Sequence, residues 1–170
     1  MTSNPLEELK IFSGKFISIG TLAKYPDRLK EYIEDLEKNC FDVKNFEVIV
    51  AIPDSDPEYE KFLKISNKTQ IEIKLVRLPY KYLNAMKSHN IMISEISDKN
   101  TYFYINNSDR SRFSCENWDL IIKQYIGSVP DDMFFLRGSN FSKNIKSRKS
   151  AQDAFYYPEQ WGVYTRKYLG

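Results

Sequence analysis

The chain has 170 residues, 42% of them hydrophobic, and its 25 basic and 23 acidic residues leave a formal net charge of +2. One domain is expected at this length, and the charge balance gives no electrostatic argument for a nucleic-acid or membrane partner. Apolar runs of only a few residues exclude a transmembrane segment, and the first residues do not form a signal peptide. Two cysteines without metal-ligand spacing predict free thiols in a cytoplasmic protein.

The first two predicted strands are joined by a helix. The apolar run 16–20 predicts the first strand, and Pro26 with Asp27 predicts a helix start, because both residues favour the first helical turn. The apolar run 46–52 predicts a second strand that is covered on both faces. The apolar residues of the helix recur at three- and four-residue spacings, at Leu29, Tyr32, Ile33, Leu36 and Cys40.

The middle of the chain predicts two further helices and a third strand. Asp56 can cap a helix whose first position is Pro57, and its buried side is formed by Phe62, Leu63 and Ile65. The alternating run 71–76 predicts a strand near an edge of the sheet. The next helix carries an apolar stripe at Leu83, Met86, Asn90, Ile93 and Ile96.

The last part of the chain predicts two more strands, at 102–105 and 133–136. The helix between them carries an apolar side, formed by Trp118, Ile121, Ile122 and Tyr125. Residues 138–154 predict a basic loop, since Lys and Arg are scattered there among Ser and Asn. Strands that alternate with helices predict an α/β protein with a mostly parallel central sheet.

Polar side chains follow the second and fourth predicted strands. Asp54 follows the second strand, and the cluster 106–109 follows the fourth. In open α/β sheets, ligands bind just beyond the carboxyl ends of the strands. We therefore expect a ligand site where these two groups of side chains meet.

Four stretches, at 18–29, 48–57, 88–90 and 103–119, resemble family 2 glycosyltransferases in their order and in their placement at strand ends. They match a first strand and basic turn, an acidic turn, an Asn on the helix before the fourth strand, and a polar cluster before a Trp-Asp pair. The resemblance implies a three-layer, Rossmann-like GT-A sandwich over 1–170. It implies a nucleotide-sugar-binding core at 16–137 and the start of an acceptor-side region at 155–170.

The resemblance implies that a UDP- or GDP-sugar contacts five residues, which are Thr21, Lys24, Arg28, Asp54 and Asn90. A carboxylate suits the uracil N–H, which favours Asp54 for the base. Other roles remain open: Asp56 can simply cap its helix, Lys24 and Arg28 can lie on a solvated helix start, and Asn90 can tie down a loop. His89, the only histidine, is expected at the surface rather than as a base.

The resemblance also implies Mn²⁺ or Mg²⁺ at Asp109 and Asn107, in a degenerate form of the DxD motif. Relatives usually carry acids where this chain has Asn107 and Ser108. Losing one carboxylate about 4 Å from a cation removes on the order of 4 kcal/mol at an effective dielectric near 20. One alternative is that the cluster 106–109 is a polar turn in which Asp109 accepts backbone N–H groups. Another is that Arg110 and Arg112 offset the charge of a diphosphate without a metal.

The function implied is transfer of a sugar from the nucleotide to a glycan, lipid or protein acceptor. The alternative is a non-catalytic module of the same fold that binds sugar nucleotide, glycan or a protein partner. No general base is assigned, since the only later acids, Asp131, Asp132, Asp153 and Glu159, lie in no recognisable motif. A nucleotidyltransferase is more remote, because 20–24 contains only one of the glycines that its phosphate loop needs.

Overall fold

The computed structural model describes residues 15–113, 115–127, 135–137 and 162–165. Six strands occur within these residues: β1 Ile17–Leu22, β2 Phe46–Pro53, β3 Glu72–Leu78, β4 Phe103–Ser108, β5 Phe135–Arg137 and β6 Gly162–Thr165. They form one sheet in the order β3-β2-β1-β4-β6-β5. β1 pairs in parallel with β2 and β4, and β2 pairs in parallel with β3, whereas β6 runs antiparallel to β4 and β5.

The helices lie on both faces of this sheet. Their bounds are α1 Pro26–Asn39, α2 Tyr59–Ser66, α3 Ala85–Ile91 and α4 Trp118–Lys123 within the described part of the chain. α3 continues into one π-helical segment, Met92–Ile96. The predicted three-layer α/β fold with a mostly parallel sheet is confirmed, and so is the edge position of the third strand.

One face of the sheet holds the larger core. α1, α2 and α4 pack there against β1, β2 and β4, and the largest side chains contributed by the helices are fully or almost fully buried: Leu29, Tyr32, Ile33, Leu36, Phe62 and Trp118. The predicted stripe of α1 is confirmed for its first four members, while Cys40 is half-buried at the end of the helix. The predicted Pro26 start is also confirmed. α2 begins at Tyr59, two residues later than predicted.

The opposite face is covered by α3 and its π-helical extension, and here the predicted apolar stripe is confirmed only in part. Three of its members are partly buried against the core of this face: Leu83, Ile93 and Ile96. Met86 is 78% exposed and Asn90 is exposed, whereas Ser88, His89 and Met92 are buried. Ser88 and His89 can be buried because each has a hydrogen-bond partner: the Ser88 hydroxyl donates to the carbonyl of Asn84, 2.9 Å away. Apolar residues were therefore an incomplete guide to the packed side of this helix.

α4 also packs differently from the prediction. Ile121 and Tyr125 are 39% and 43% exposed, while Asp119 is fully buried beside Trp118. The Asp119 carboxylate accepts the N–H of Phe41 at 2.7 Å, the N–H of Asp42 at 3.2 Å and the side-chain amide of Asn45 at 2.8 Å. The Asp of the Trp-Asp pair therefore fixes the loop between α1 and β2.

The carboxyl-terminal third departs most from the predicted element list. β5 begins at Phe135, whereas the predicted fifth strand covered 133–136, and β6 was not predicted as a strand. A four-residue strand carries too little alternation to be recognised from sequence. The predicted basic loop at 138–154 lies outside the described residues, as do Asp131, Asp132, Asp153 and Glu159.

Candidate functional site

The carboxyl ends of β1, β2 and β4 form one edge of the sheet. In the register of the sheet, Leu22 at the end of β1 lies opposite Ala51 of β2 and Ser108 of β4. The loops that follow these three strands therefore emerge side by side. We call this edge, with loops 23–25, 54–58 and 109–113, the rim; it is where ligands bind in open α/β sheets.

Asp109 is the first residue beyond β4, and its side chain is buried in the rim at 5% exposure. Its carboxylate lies 3.5 Å from the backbone N–H of Lys24, the second residue of the loop after β1. Burial raises the pKa of the Asp109 carboxyl, and the Lys24 N–H and the guanidinium groups of Arg28, Arg110 and Arg112 act against that rise. Asp109 thus stands among positive charges from both flanking loops.

Three of the cations at the rim have no carboxylate partner. Lys24, Arg28 and Arg110 are exposed, and none of them forms an ion pair with a described residue. The Arg28 guanidinium and the Lys24 ammonium lie over the ring of Tyr25, 4.8 Å and 5.4 Å from its centroid. The rim therefore presents positive charge to solvent.

Arg112, by contrast, stabilises the turn after β4. Its guanidinium donates to the carbonyl of Ser111 at 2.7 Å and of Asp109 at 3.2 Å, and it pairs with Glu31 of α1 at 2.7 Å. The Ser111 N–H closes the same turn by donating to the Ser108 carbonyl at 2.9 Å. This arginine links the turn to α1, a role that the sequence did not indicate.

Asn107 points into the core instead of towards the rim. Its side chain is 3% exposed, its amide nitrogen donates to the Tyr32 hydroxyl at 3.1 Å, and its amide oxygen accepts the Ser108 N–H at 2.8 Å. Burial raises the pKa of Tyr32, so the phenol stays protonated. Because a buried phenol needs a hydrogen-bond partner, Tyr32 on the stripe of α1 was the signal for this contact.

Thr21 and Asp54 occupy different environments. Thr21, one residue before the end of β1, is fully buried, and its hydroxyl has no hydrogen-bond partner within the described residues. Asp54 is exposed directly after β2, and the Arg77 guanidinium donates to its backbone carbonyl, which leaves the carboxylate facing solvent. The Asp56 carboxylate accepts the N–H of Glu58 at 2.8 Å, but the helix-capping role predicted for Asp56 is wrong, because the N-cap of α2 is Glu58 and that helix has no side-chain cap hydrogen bond.

Asn90 and His89 exchange the environments predicted for them. Asn90 is exposed on α3 and has no side-chain hydrogen bond to any residue in the described ranges. His89 is only 4% exposed, and its Nδ1 lies 2.9 Å from the Tyr104 hydroxyl, so the expected surface position of this histidine is wrong. The structure therefore brings Lys24, Arg28 and Asp109 together at the rim, with Asp54 on the neighbouring strand, and it does not place Asn90 among them.

No protein-family model matches the chain, and no curated protein matches it in sequence. Solved structures do match. One is the mannosyltransferase PcManGT from Pyrobaculum calidifontis in complex with GDP-Man and Mn²⁺, with a TM-score of 0.64 and 9% identity over 96% of this chain and 50% of that one. Another is TarS 1-349 of S. aureus in complex with UDP-GlcNAc, with a TM-score of 0.59 and 11% identity over 88% of this chain and 45% of that one.

The chain has the GT-A fold. At these identities the likeness establishes the fold alone, and the chain spans about half the length of each neighbour. In the GT-A fold, crossover helices bring the chain back to the same edge of the sheet before each parallel strand begins. The parallel strands therefore all end at the opposite edge, and the rim contains residues from three loops. Among the described residues, no helix is long and apolar enough to span a membrane.

The described residues at this rim offer an incomplete set of ligands for the divalent cation that the GT-A fold implies. Asn107 is not available as a ligand in this conformation, because its side chain is buried at 3% exposure and held there by hydrogen bonds with Tyr32 and the Ser108 N–H. Asp109 is left as the single carboxylate at the end of β4, and the described residues contain no group of three or more acids, histidines or cysteines arranged for a metal. The predicted pair of ligands is therefore reduced to one.

Proposed function

We propose that the rim binds the nucleotide diphosphate of a UDP- or GDP-sugar, and that the chain supplies the donor side of a family 2-like glycosyltransferase. The observation that carries this proposal is the set of unpaired cations, Lys24, Arg28 and Arg110, at the adjoining ends of β1 and β4. A diphosphate is the anion that such a cluster suits, because guanidinium groups bind phosphate oxygens through paired hydrogen bonds. The GT-A fold supports the same assignment.

The base is assigned to the Asp54 side of the rim. Uracil and guanine each present ring N–H donors, and an exposed carboxylate is an acceptor for them. Asp54 follows β2, the strand beside β1, so a nucleotide can place its base near Asp54 while its phosphates lie near Arg28. Thr21 is buried in β1, the strand beside β2. Asn90, on α3, is proposed to bind a hydroxyl group of the sugar nucleotide.

In this proposal, Asp109 is the side chain that would bind Mn²⁺ or Mg²⁺. It is the one carboxylate at the end of β4 that a cation beside the phosphates could meet, since Asn107 is engaged in the core. A cation held there would neutralise phosphate charge. Mg²⁺ commonly binds through one or two carboxylates together with substrate phosphates, so Asp109 alone is the minimum that such a site requires.

Titration with nucleotides tests the proposed function. Saturating UDP or GDP, at about 100 times its Kd, should raise the free energy of unfolding by about 2.7 kcal/mol, as measured by urea denaturation. UMP and GMP should bind more weakly, because they lack the second phosphate. No stabilisation by any nucleoside diphosphate, with or without Mn²⁺, would refute the proposal.

Asp54→Ala tests the placement of the base. We expect the affinity for UDP and GDP to fall about tenfold, which corresponds to the loss of a hydrogen bond to a charged acceptor. Glu60→Ala is the matched control, because Glu60 is an exposed acid of α2 without an ion pair to a described residue. If both variants bind equally to the unchanged chain, Asp54 does not contact the base.

A second candidate is a non-catalytic GT-A module that binds sugar nucleotide without transferring the sugar, or that binds glycan or a protein partner. The reduced set of carboxylates at the end of β4 favours it. Hydrolysis of UDP- and GDP-sugars separates the two, because a transferase commonly releases some nucleotide when water replaces the acceptor. Donor binding without nucleotide release, with or without added metal, would support the module.

A further inference from the structure

We propose that Arg28 and Arg110 clamp the diphosphate directly, with Lys24 beside them, so that donor binding at this rim does not require a divalent cation. This inference rests on the proposed function, since it assumes that a nucleotide diphosphate is the ligand. It goes beyond that function by replacing the metal expected for the fold with two guanidinium groups. Arg28 lies at the start of α1 and Arg110 in the loop after β4, so the clamp would span the junction of β1 and β4.

The first argument is the position of the two arginines. Arg28 is the third residue of α1, which follows the loop that leaves β1, and Arg110 is the second residue beyond β4. β1 and β4 are parallel neighbours whose last residues, Leu22 and Ser108, are in register. Asp109 is joined to the β1 loop through the Lys24 N–H, which fixes the two loops against each other. The arginines therefore flank one anchored junction.

The second argument is that these arginines are unpaired although paired cations are common in the same structure. Lys15, Lys30, Lys61, Lys74 and Arg112 each form an ion pair with a glutamate. The Arg28 guanidinium lies over the Tyr25 ring, and neither it nor the side chain of Arg110 has a hydrogen-bond or ion-pair partner in the described ranges. Each guanidinium is thus free to donate several N–H groups to phosphate oxygens.

The third argument is the chemistry of the alternative. A metal that bridges a diphosphate to this strand end would have Asp109 as its only carboxylate, and Asn107 would have to break two hydrogen bonds in the core before it could help. Three guanidinium groups also lie near Asp109, and they repel a cation. The local charge therefore favours an anion over a divalent cation.

Asp109 is a positioning residue in this arrangement. Its carboxylate accepts the Lys24 N–H and lies among the guanidinium groups, so it holds the two loops in register. Its negative charge also opposes a bound diphosphate. The two mechanisms consequently predict opposite effects when that charge is removed: direct clamping predicts stronger diphosphate binding, and a metal bridge predicts weaker binding.

Calorimetry with UDP and GDP tests the clamp in EDTA and again in excess Mn²⁺. We expect the two Kd values to agree within about threefold, because screening of a clamped diphosphate by a weakly held cation is a small effect. Arg28→Gln and Arg110→Gln should each weaken binding in EDTA by about tenfold or more, the loss typical of hydrogen bonds to charged groups. Lys30→Gln is the control: it removes the same charge two residues along α1, and should change Kd less than twofold, roughly, because exposed charges are screened.

Asp109→Asn is the deciding variant, since it keeps an oxygen that can accept the Lys24 N–H. In EDTA we expect it to bind UDP or GDP about threefold more tightly, through removal of a like charge. Binding that appears only with Mn²⁺ and is lost in Asp109→Asn would overturn the clamp and leave the proposed function intact. Absence of binding in both conditions would overturn the clamp together with the proposed function.

Discussion

At the level of single residues, His89 is the side chain whose environment departs most from expectation. It is buried on the inner side of α3, and its Nδ1 lies 2.9 Å from the Tyr104 hydroxyl. Gly20 of β1 makes this contact possible, because a Cβ at that position would overlap the Tyr104 hydroxyl and come within 3.0 Å of His89 Nδ1. The interaction therefore depends on three elements, β1, α3 and β4, and it places a polar contact in the core that α3 covers.

The buried histidine predicts how stability depends on pH. Burial lowers the pKa of His89 from 6.5 to about 4, so between those values the unfolded chain binds more protons than the folded one. Stability should therefore fall as the pH falls through this window, by about 2 kcal/mol between about pH 7 and about pH 5. Urea denaturation at the two pH values measures the difference.

His89→Gln and Tyr104→Phe make the pH prediction specific. His89 is the only histidine in the chain, so His89→Gln should remove the fall in stability over this window, whatever its effect at neutral pH. Tyr104→Phe deletes the hydroxyl but keeps the buried imidazole, so its pH dependence should persist. An unchanged fall in His89→Gln would assign the effect to carboxyl groups whose pKa is lowered on folding, and the explanation by His89 would be wrong.

At the level of elements, the amino ends of the strands are joined by a polar cluster around Glu47 of β2. The Glu47 carboxylate is fully buried, accepts the Ser18 hydroxyl and the Asp98 N–H at 2.8 Å each, and pairs with Lys74 of β3 at 2.7 Å. Thr101 extends the cluster, since its hydroxyl oxygen lies 3.0 Å from that of Ser18. The cluster thus connects β1, β2 and β3 with the loop before β4.

Lys74→Met should destabilise the protein strongly. Removing the ammonium leaves a buried carboxylate without its counter-charge, which costs about 3 kcal/mol in comparable cases. In the double variant Glu47→Gln/Lys74→Met the charge is gone while an acceptor oxygen remains, so the loss should be clearly smaller than the sum of the two single losses. Urea denaturation of the four proteins gives the coupling energy.

Lys30→Met is the matched control for this cycle. Its partner is Glu34, and both side chains are more than 60% exposed, so the loss should stay below about 1 kcal/mol. Strictly additive losses for Glu47 and Lys74 would show that the buried pair does not act as a unit. The prediction would then fail even if each single variant were destabilised.

The sequence predicted the elements better than it predicted their buried sides. β1 to β4 and α1 follow from apolar runs and from Pro26, because each of these signals is local. The buried sides of α3 and α4 could not be read in the same way. His89 and Asp119 are buried beside partners that lie 15 and 78 residues away in the sequence, so patterns of apolar residues could not reveal them.

The sequence predicted where the site lies, but it did not predict which residues contact each other there. The rule that ligands bind at strand ends located the rim, and Lys24, Arg28 and Asp109 indeed meet there. The inward orientation of Asn107 and the stabilising role of Arg112 depend on Tyr32 and Glu31 of α1, which lie about 75 to 80 residues earlier in the chain. Such partners are fixed only by tertiary packing.

For the whole molecule, the two ends of the parallel sheet differ in how completely their charges are paired. At the amino ends, the Glu47 carboxylate pairs with Lys74 and accepts two hydrogen bonds, from the Ser18 hydroxyl and the Asp98 N–H, so its charge is compensated within the fold. At the carboxyl ends, Lys24, Arg28 and Arg110 remain unpaired among the described residues. Because unpaired like charges repel one another, this end should be stabilised by an anionic ligand, whereas the other end should be indifferent to it.

Hydrogen exchange with and without saturating UDP or GDP tests this asymmetry. Strand amides that exchange through global unfolding should slow together, since the ligand stabilises the folded state as a whole. Loop amides exchange through local opening, so they should report where the ligand lies. We expect protection in 23–25, 54–58 and 109–113, and unchanged exchange in the amino-end loops 40–45, 67–71 and 97–102. Protection of the amino-end loops without protection of the rim would move the ligand to the opposite end of the sheet, and the rim would then not be the binding site.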